Sequence, residues 1–140
     1  MNILNPVSSI MTTQLITVDP KDKIMRVKEL FDQHKIHHLP VVQYKTIVGM
    51  VSKSDLLFFL KGLRHDHREE HFDNVRLKNY SVESIMTTGL AKVAPDDKIN
   101  VVLEVFKENL FHALPVVDDN DELVGIVTTY DIVTELADTK

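Results

Sequence analysis

Apolar residues recur with a helical period in two segments of the chain. Their spacing follows i, i+3, i+6 and i+7, with a polar residue at i+10, and the two sets are Ile24, Val27, Leu30, Phe31 and His34, and Ile99, Val102, Val105, Phe106 and Asn109. This is the pattern of an amphipathic helix that lies with one face on a sheet. We therefore predict one such helix in each half, beginning just after Pro20 and Pro95.

Short apolar runs around these helices predict strands and a second helix in each half. The predicted strands are Leu15 to Val18, Leu39 to Val42 and Ile47 to Val51, then Leu90 to Val93, Leu114 to Val117 and Leu123 to Val127. The second and third strand of each half flank a short polar stretch, which is typical of a hairpin. A final helix is predicted from Ser54 to about Leu60 and from Thr129 to about Ala137. The order in each half is strand, helix, strand, strand, helix.

This order occurs twice because the sequence itself repeats. Val7 to Ile24 matches Val82 to Ile99 at an offset of 75, and one inserted residue later moves the offset to 76. Two long copies indicate a pseudo-two-fold pair of units rather than a solenoid of many short repeats. We predict the first repeat at 1–64, a connector at 65–80 and the second repeat at 81–140.

Composition narrows the class of protein. The chain has 140 residues, 44% hydrophobic and 26% charged, as expected of a globular protein. Its net charge of −5 argues against nucleic acid as a partner, no apolar run approaches the roughly 20 residues of a membrane span, and the start lacks the features of a secretory signal. Without cysteine, disulfides and thiolate chemistry are excluded. A cytoplasmic location fits these observations.

The junction between each buried strand and the helix that follows carries the strongest candidate site. A hydroxyl is followed three residues later by an aspartate, Ser52 with Asp55 and Thr128 with Asp131. One interpretation is helix capping, in which the hydroxyl accepts from free backbone N–H groups. The other is that the same N–H groups bind a phosphate while the carboxylate accepts hydrogen bonds from the two hydroxyls of a ribose.

The repeated pattern resembles a tandem pair of CBS domains, named after cystathionine β-synthase and also called a Bateman module. The motifs are IMTT, then His-x-Leu-Pro-Val-Val, then Val-Gly-(Met/Ile)-Val-(Ser/Thr)-x-x-Asp. The resemblance implies an α/β (α+β) fold of two βαββα repeats that pack through their sheets with pseudo-two-fold symmetry. It also implies clefts between the repeats that take AMP, ADP, ATP or, in some members, S-adenosylmethionine.

Carried over by position, the resemblance assigns roles to residues in both repeats. The ribose carboxylates would be Asp55 and Asp131; the phosphate contacts would be Ser52, Lys53, His37, His38, His112, Thr128 and Thr129; and the base would be lined by Ile16, Ala91, Thr12, Thr13, Thr87 and Thr88. A plainer interpretation of His37 and His112 is that they are polar residues at the start of a strand. The two sites should differ, because His38 and Lys53 add cations where the second copy has Ala113 and Thr129.

Other chemistry has little support. The four glycines form neither a Walker loop nor a dinucleotide fingerprint, and no nucleophile elbow or HExxH motif occurs, so we predict that the chain is not an enzyme. His65, His67 and His71 could form a metal cluster in the connector, although a solvated linker is the simpler interpretation. Met11 and Met86 are predicted to fill the core.

We therefore expect a regulatory module that binds an adenine nucleotide, needs no obligatory cofactor, and signals through its shape, its oligomeric state or a regulated partner protein. The run Leu56 to Leu60 is more apolar than a helix with one solvated face requires, which favours a homodimer. The alternatives are a ligand-free dimeric scaffold or interaction module, an S-adenosylmethionine sensor, and a metal-responsive protein that uses the connector histidines.

Overall fold

The computed structural model describes residues 1–62 and 69–138 of the chain. The fold is mixed α+β, as predicted, with two β-hairpins and five helices in the described part. The elements are α1 (Ile24–Gln33), β1 (His38–Gln43), β2 (Thr46–Ser52), α2 (Lys53–Gly62), α3 (Glu69–Asn79), α4 (Ile99–Lys107), β3 (Ala113–Val117), β4 (Leu123–Thr128) and α5 (Thr129–Asp138), with short 3-10 turns at Val7–Ser9 and Val82–Ser84.

The helices α1 and α4 confirm the prediction from apolar periodicity. The four apolar residues of the α1 pattern are buried, and in α4 Ile99 and Val102 are buried while Val105 and Phe106 are half-buried. His34 lies just past the end of α1 and is exposed. Burial of one apolar face, rather than capping, therefore stabilises these helices, since neither has a side-chain cap at its N-terminus.

Each predicted hairpin is present, and the two connecting turns differ in length and conformation. The β1–β2 turn has two residues, Tyr44 and Lys45, both with a left-handed backbone at φ of 52° and 68°. This is the type I′ geometry that matches the twist of a two-residue hairpin. The β3–β4 loop is longer and is held by Asp118, whose carboxylate accepts hydrogen bonds from the N–H groups of Asn120 and Glu122.

The prediction of a full first strand in each half is wrong. In the first half only Val18 pairs, in parallel with Val41. The Val18 N–H donates to the Pro40 carbonyl at 3.0 Å, and the Val42 N–H donates to the Val18 carbonyl at 2.8 Å. The next ladder bonds on either side would need N–H groups from Pro40 and Pro20, and proline has none. Val93 pairs with Val116 in the same way. The prolines Pro115 and Pro95 limit that ladder for the same reason.

The described chain divides into two compact units that do not coincide with the sequence repeats. One is Ile16–Gly89, here called the first-hairpin unit, and the other joins Met1–Leu15 to Leu90–Lys140, here called the second-hairpin unit. The segment before each repeat's first apolar run therefore packs with the hairpin of the other repeat. Val7 and Val82, both fully buried, mark these segments.

The docked segments are held by main-chain hydrogen bonds within each unit. The Val82 N–H donates to the Asp22 carbonyl at 2.8 Å, and the Val7 N–H donates to the Asp97 carbonyl at 2.7 Å. On the surface of the first-hairpin unit, Lys21 lies 2.8 Å from Glu83. The hydrogen bond to Glu83 and its negative charge raise the pKa of Lys21. Because this ion pair is exposed, it contributes little to stability.

The end of the predicted connector belongs to the core rather than to a solvated linker. Leu77 of α3 is buried among the core residues of the first-hairpin unit, and α3 packs on α1. The ring of Tyr80 meets Phe59 of α2 edge to face, with centroids 5.7 Å apart. Among the described helices, none combines the length and the apolar character needed to cross a membrane.

Candidate ligand sites at the strand-to-helix junctions

At the end of β2, Ser52 and Asp55 form a reciprocal cap on α2. The Asp55 N–H donates to Ser52 Oγ at 3.0 Å, and the Ser52 N–H donates to Asp55 Oδ2 at 2.8 Å. The capping interpretation of this motif is therefore confirmed. The cap also fixes the carboxylate in one orientation, and no residue in the described part of the chain donates to its other oxygen, Oδ1.

The junction between β4 and α5 repeats this geometry with one difference. The Asp131 N–H donates to Thr128 Oγ1 at 3.1 Å, and the Thr128 N–H donates to Asp131 Oδ2 at 2.9 Å. Here the second oxygen is also engaged, because the Thr12 hydroxyl donates to Asp131 Oδ1 at 3.2 Å. Among the described residues, the Asp131 carboxylate thus accepts from more donors than that of Asp55.

The backbone at each junction ties the helix start to the beginning of the hairpin. The Lys53 N–H donates to the His37 carbonyl at 2.9 Å, and the Thr129 N–H donates to the His112 carbonyl at 3.0 Å. Both histidine side chains are exposed. The next N–H, from Ser54 or from Tyr130, has no acceptor within 1–62 and 69–138, so it stays available at the positive end of the helix dipole.

The cations predicted for the first junction lie beside it. His38 is directly opposite Ser52 in the β1–β2 register, so the two side chains point to the same face, and Lys53 is exposed in the first turn of α2. In the second-hairpin unit the position opposite Thr128 is Ala113, which is buried. The difference in residue type expected from the sequence is therefore present next to the two caps.

The Thr-Thr loops come from the other repeat in each case. Thr87 and Met50 exchange backbone hydrogen bonds of 2.8 and 3.0 Å, and Thr12 and Ile126 exchange bonds of 2.8 and 3.0 Å. Each loop thereby extends the sheet edge formed by β2 or β4. Thr13 and Thr88, the second threonines of the pairs, are exposed.

The methionine before each threonine pair locks the loop against a glycine. A Cβ placed on Gly49 would lie 2.6 Å from Met86 Sδ, and a Cβ on Gly125 would lie 2.6 Å from Met11 Sδ. Both methionines pack against the core of their unit, as predicted. The glycines therefore serve close packing of the loops.

Within the described residues, the main-chain carbonyls of Ile16 and Ala91 each lack a hydrogen-bond donor. Val18 lies beside Val41 in a parallel pair, so Ile16 is level with Leu39, near the end of the sheet that carries Ser52. The ladder partner of the Ile16 carbonyl would be the missing N–H of Pro40, and no other group of the described residues donates to it. The Ala91 carbonyl is in the same position opposite Pro115.

The contact between Thr12 and Asp131 was not foreseen from the sequence. The two residues are 119 positions apart, and nothing in the local pattern around Thr12 indicates a carboxylate partner. For the predicted metal cluster, His65 and His67 lie outside the described residues, as does the side chain of His71. No group of three metal-ligating side chains occurs in the part of the chain that the structure describes.

Comparison with known proteins identifies the repeated unit. The family model described as CBS domain matches residues 7–62 and again 82–138. Protein MJ1225 of Methanocaldococcus jannaschii is 30% identical over 129 residues, which are 90% of this chain and 45% of that protein. The chain spans less than half the length of the first curated relatives that it matches.

Two solved structures show the same fold with ligands bound. The structure of CBSX2, from Arabidopsis thaliana, in complex with AMP has a TM-score of 0.76 at 28% identity and covers 95% of this chain and 96% of its own. The CBS domain pair of protein MJ0100, in complex with 5′-methylthioadenosine and S-adenosyl-L-methionine, has a TM-score of 0.79 at 26% identity, with coverage of 98% and 99%.

Proposed function

The chain belongs to the CBS domain family, with two copies of the domain, and on this premise we propose that it is a regulatory module that binds an adenine nucleotide such as AMP, ADP or ATP. The observation that carries the proposal is the Asp55 carboxylate. The cap fixes Oδ2 at 2.8 Å from the Ser52 N–H and leaves Oδ1 without a donor in the described chain. A fixed acceptor of this kind is suited to a ribose diol, because little ordering cost remains on binding.

The neighbouring groups suit the remaining parts of a nucleotide. The Ser54 N–H at the start of α2, which has no acceptor among the described residues, favours an anionic phosphate together with the Ser52 hydroxyl and the Lys53 cation. The Ile16 carbonyl, which has no ladder donor, can accept from the amino group of adenine. The exposed His37 can add a further donor to phosphate. These roles remain proposals for each residue, and they assign the chain binding and signalling but no reaction.

We propose that the first-hairpin unit is the preferred nucleotide site. It combines an Asp55 oxygen that has no donor among the described residues with His38 and the Lys53 cation, whereas Asp131 already accepts from Thr12 and is flanked by Ala113 and Thr129. Both differences favour a phosphate at the first junction. A positively charged sulfonium ligand would be repelled by the same cation.

S-adenosylmethionine is the second candidate ligand, and the second-hairpin unit is the better place for it. The MJ0100 domain pair holds S-adenosyl-L-methionine and 5′-methylthioadenosine in its structure. Around Asp131 the equivalents of His38 and Lys53 are the uncharged Ala113 and Thr129. A cationic or uncharged adenosine derivative therefore meets less repulsion there than at Asp55.

We propose that the chain signals as a homodimer. On α2, Leu57 is 55% exposed and Phe58 is 81% exposed, and on α5 Tyr130, Val133 and Leu136 are also exposed. Apolar stripes on two equivalent helices are suited to an isologous interface with a second copy. A ligand would act on this equilibrium, or on a regulated protein, only through different affinities for the two states.

The test is titration calorimetry with AMP, ATP and S-adenosylmethionine on the wild type, Asp55→Asn and Asp131→Asn. Asparagine keeps one oxygen for the cap but loses an acceptor for the diol, so it separates capping from binding. We expect Asp55→Asn to weaken AMP binding at least tenfold and Asp131→Asn to change it less than threefold. Thermal melting is the control, since the free energy of unfolding of both variants should stay within about 1 kcal/mol of the wild-type value.

Two results would count against the proposal. If neither AMP nor ATP binds the wild type, the ligand-free scaffold becomes the better explanation. If AMP binds and Asp55→Asn leaves its affinity unchanged, the ribose assignment is wrong, even though the family's ligand class would stand. At 100 Kd of ligand, a true site should stabilise the fold by about 2.7 kcal/mol.

A further inference from the structure

The outer faces of α2 and α5 occupy equivalent positions in the two repeats and are both apolar. Leu57 and Phe58 are exposed on α2, and Tyr130, Val133 and Leu136 are exposed on α5. Each helix packs on the core of its own unit through a different face. The outward apolar residues therefore do not serve the core, and a row of them on a surface marks a site of interaction.

The charges beside these two faces are opposite in sign. Helix α2 contains Lys53 and Lys61 against the single carboxylate of Asp55, which gives a net charge of +1. Helix α5 contains no lysine or arginine and three carboxylates, which give −3 and belong to Asp131, Glu135 and Asp138. Because both cap aspartates already accept hydrogen bonds at their own junctions, the outward charges are the two exposed lysines of α2 and the last two carboxylates of α5, also exposed.

The same contrast holds for the two units as a whole. The segment Ile16–Gly89 contains 12 lysines and arginines and 10 aspartates and glutamates, so its net charge is +2. The rest of the chain contains 4 and 11, so its net charge is −7. A dimer that joined like units would bring two units of −7 together, whereas a dimer that joined unlike units would bring opposite charges together.

These charges rank the ways in which two copies can meet through α2 and α5. Pairing α2 with α2 places lysines against lysines, and pairing α5 with α5 places carboxylates against carboxylates. Pairing α2 with α5 places lysines against carboxylates while it covers both apolar faces. Since like charges across an interface cost free energy and opposite charges set its orientation, the unlike pairing is favoured.

We propose that α2 of one copy packs on α5 of a second copy. This pairing presupposes the homodimer proposed above and specifies which helices meet. A second copy is the occupant because the chain itself carries both complementary faces, and two-fold symmetry would form the contact twice. Because α2 begins at the Asp55 junction and α5 begins at the Asp131 junction, the contact would link the unlike junctions of the two copies.

Cross-linking of single cysteines tests which helices meet, because the full chain contains no cysteine of its own. Leu57→Cys and Val133→Cys lie at equivalent, exposed positions of α2 and α5, where the fold should be kept. Each variant is treated with a short bis-maleimide alone and after co-expression with the other, with a size tag on one of them. The matched control is Tyr44→Cys, at a 93% exposed position in the β1–β2 turn. We expect at least tenfold more cross-linked dimer from the combined pair than from either variant alone, and none with Tyr44→Cys.

Sedimentation equilibrium tests the charges through the dissociation constant of the dimer. Lys61→Glu reverses a charge on α2, and Lys45→Glu makes the same change in net charge at an exposed turn of the same unit. We expect Lys61→Glu to raise the dissociation constant at least fivefold, because two-fold symmetry counts the lost contact twice, and Lys45→Glu to change it less than twofold. Pairing of α2 with α2 predicts no such rise, since the new carboxylate would then face the lysines of the other copy.

Failure of this pairing can be told apart from failure of the homodimer. If the wild type is a dimer and Leu57→Cys cross-links with itself as well as with Val133→Cys, like helices meet and the pairing is wrong. The pairing is also wrong if the combined cysteines do not cross-link, or if Lys61→Glu leaves the dissociation constant unchanged. If the wild type sediments as a monomer, the homodimer itself is wrong and the pairing falls with it.

Discussion

At the level of single residues, the two junctions differ most in the groups that could carry positive charge. His38 stands opposite Ser52 and His37 is exposed beside the start of α2, whereas the second repeat has only His112. The first junction should therefore offer one more imidazole donor to a phosphate than the second.

This gives a prediction for phosphate binding. The double variant His37→Ala/His38→Ala should bind AMP at least threefold more weakly than the wild type, because it loses two imidazole donors. Calorimetry measures it, and His112→Ala is the matched control. An unchanged affinity would show that the two histidines do not contribute to binding.

Close packing of Met86 against Gly49 holds the Thr87 loop in place. We predict that Gly49→Ala destabilises the protein by about 1–3 kcal/mol, because its Cβ would lie 2.6 Å from Met86 Sδ and 3.1 Å from the Thr87 carbonyl. The double variant with Met86→Ala should recover part of the loss. Denaturant unfolding measures both.

Gly89→Ala is the control for this pair. Gly89 has a φ of 66°, and apart from its chain neighbours no described atom lies within 4 Å of the position that an alanine Cβ would take, so the cost of this variant is conformational rather than steric. Met86→Ala should not relieve it. Equal relief of both glycine variants would mean that Met86 affects stability through some route other than contact with Gly49.

At the level of elements, the β1–β2 turn is stable in spite of its residues. Tyr44 and Lys45 both occupy the left-handed region, which costs a residue with a Cβ about 1 kcal/mol or more. We predict that Lys45→Gly stabilises the protein by about 1 kcal/mol, which raises Tm by about 3 °C. Lys45→Ala is the control, because alanine removes the charge but keeps the Cβ. If alanine stabilises as much as glycine, charge and not conformation is the cause.

The observed helices and strands show which elements can be predicted from the local sequence pattern. Apolar periodicity predicted α1 and α4, and the capping motifs predicted the starts of α2 and α5, because each of these depends on neighbouring residues. The first strands were predicted wrongly, since their pairing is limited by Pro40 on another strand, which a local pattern does not reveal. The burial of Leu77 was also missed, because the charged residues around it resemble a linker.

At the level of the whole molecule, each junction draws on both repeats. Asp131 accepts from Thr12, and Met50 pairs with Thr87. The sequence predicted candidate site residues but not which of them the fold brings together, because that depends on contacts between distant segments. Both repeats carry the same motifs, yet the first hairpin lies in one compact unit with the segment 80–89, and the second hairpin lies in the other unit with the segment 1–15.

This arrangement predicts which fragment can fold. The fragment 16–89 contains the core of the first-hairpin unit, including Leu77, Val82 and Met86, whereas the fragment 1–64 contains the whole first repeat but lacks these three residues. We expect 16–89 to unfold cooperatively on heating, with slow amide exchange at Met50 and Thr87, and 1–64 to show no cooperative transition. Circular dichroism and hydrogen exchange measure both. Adding Leu77→Ala to 16–89 should remove about 2–5 kcal/mol, enough to abolish folding of so small a domain. A cooperative transition in 1–64 would show instead that the sequence repeat is the folding unit.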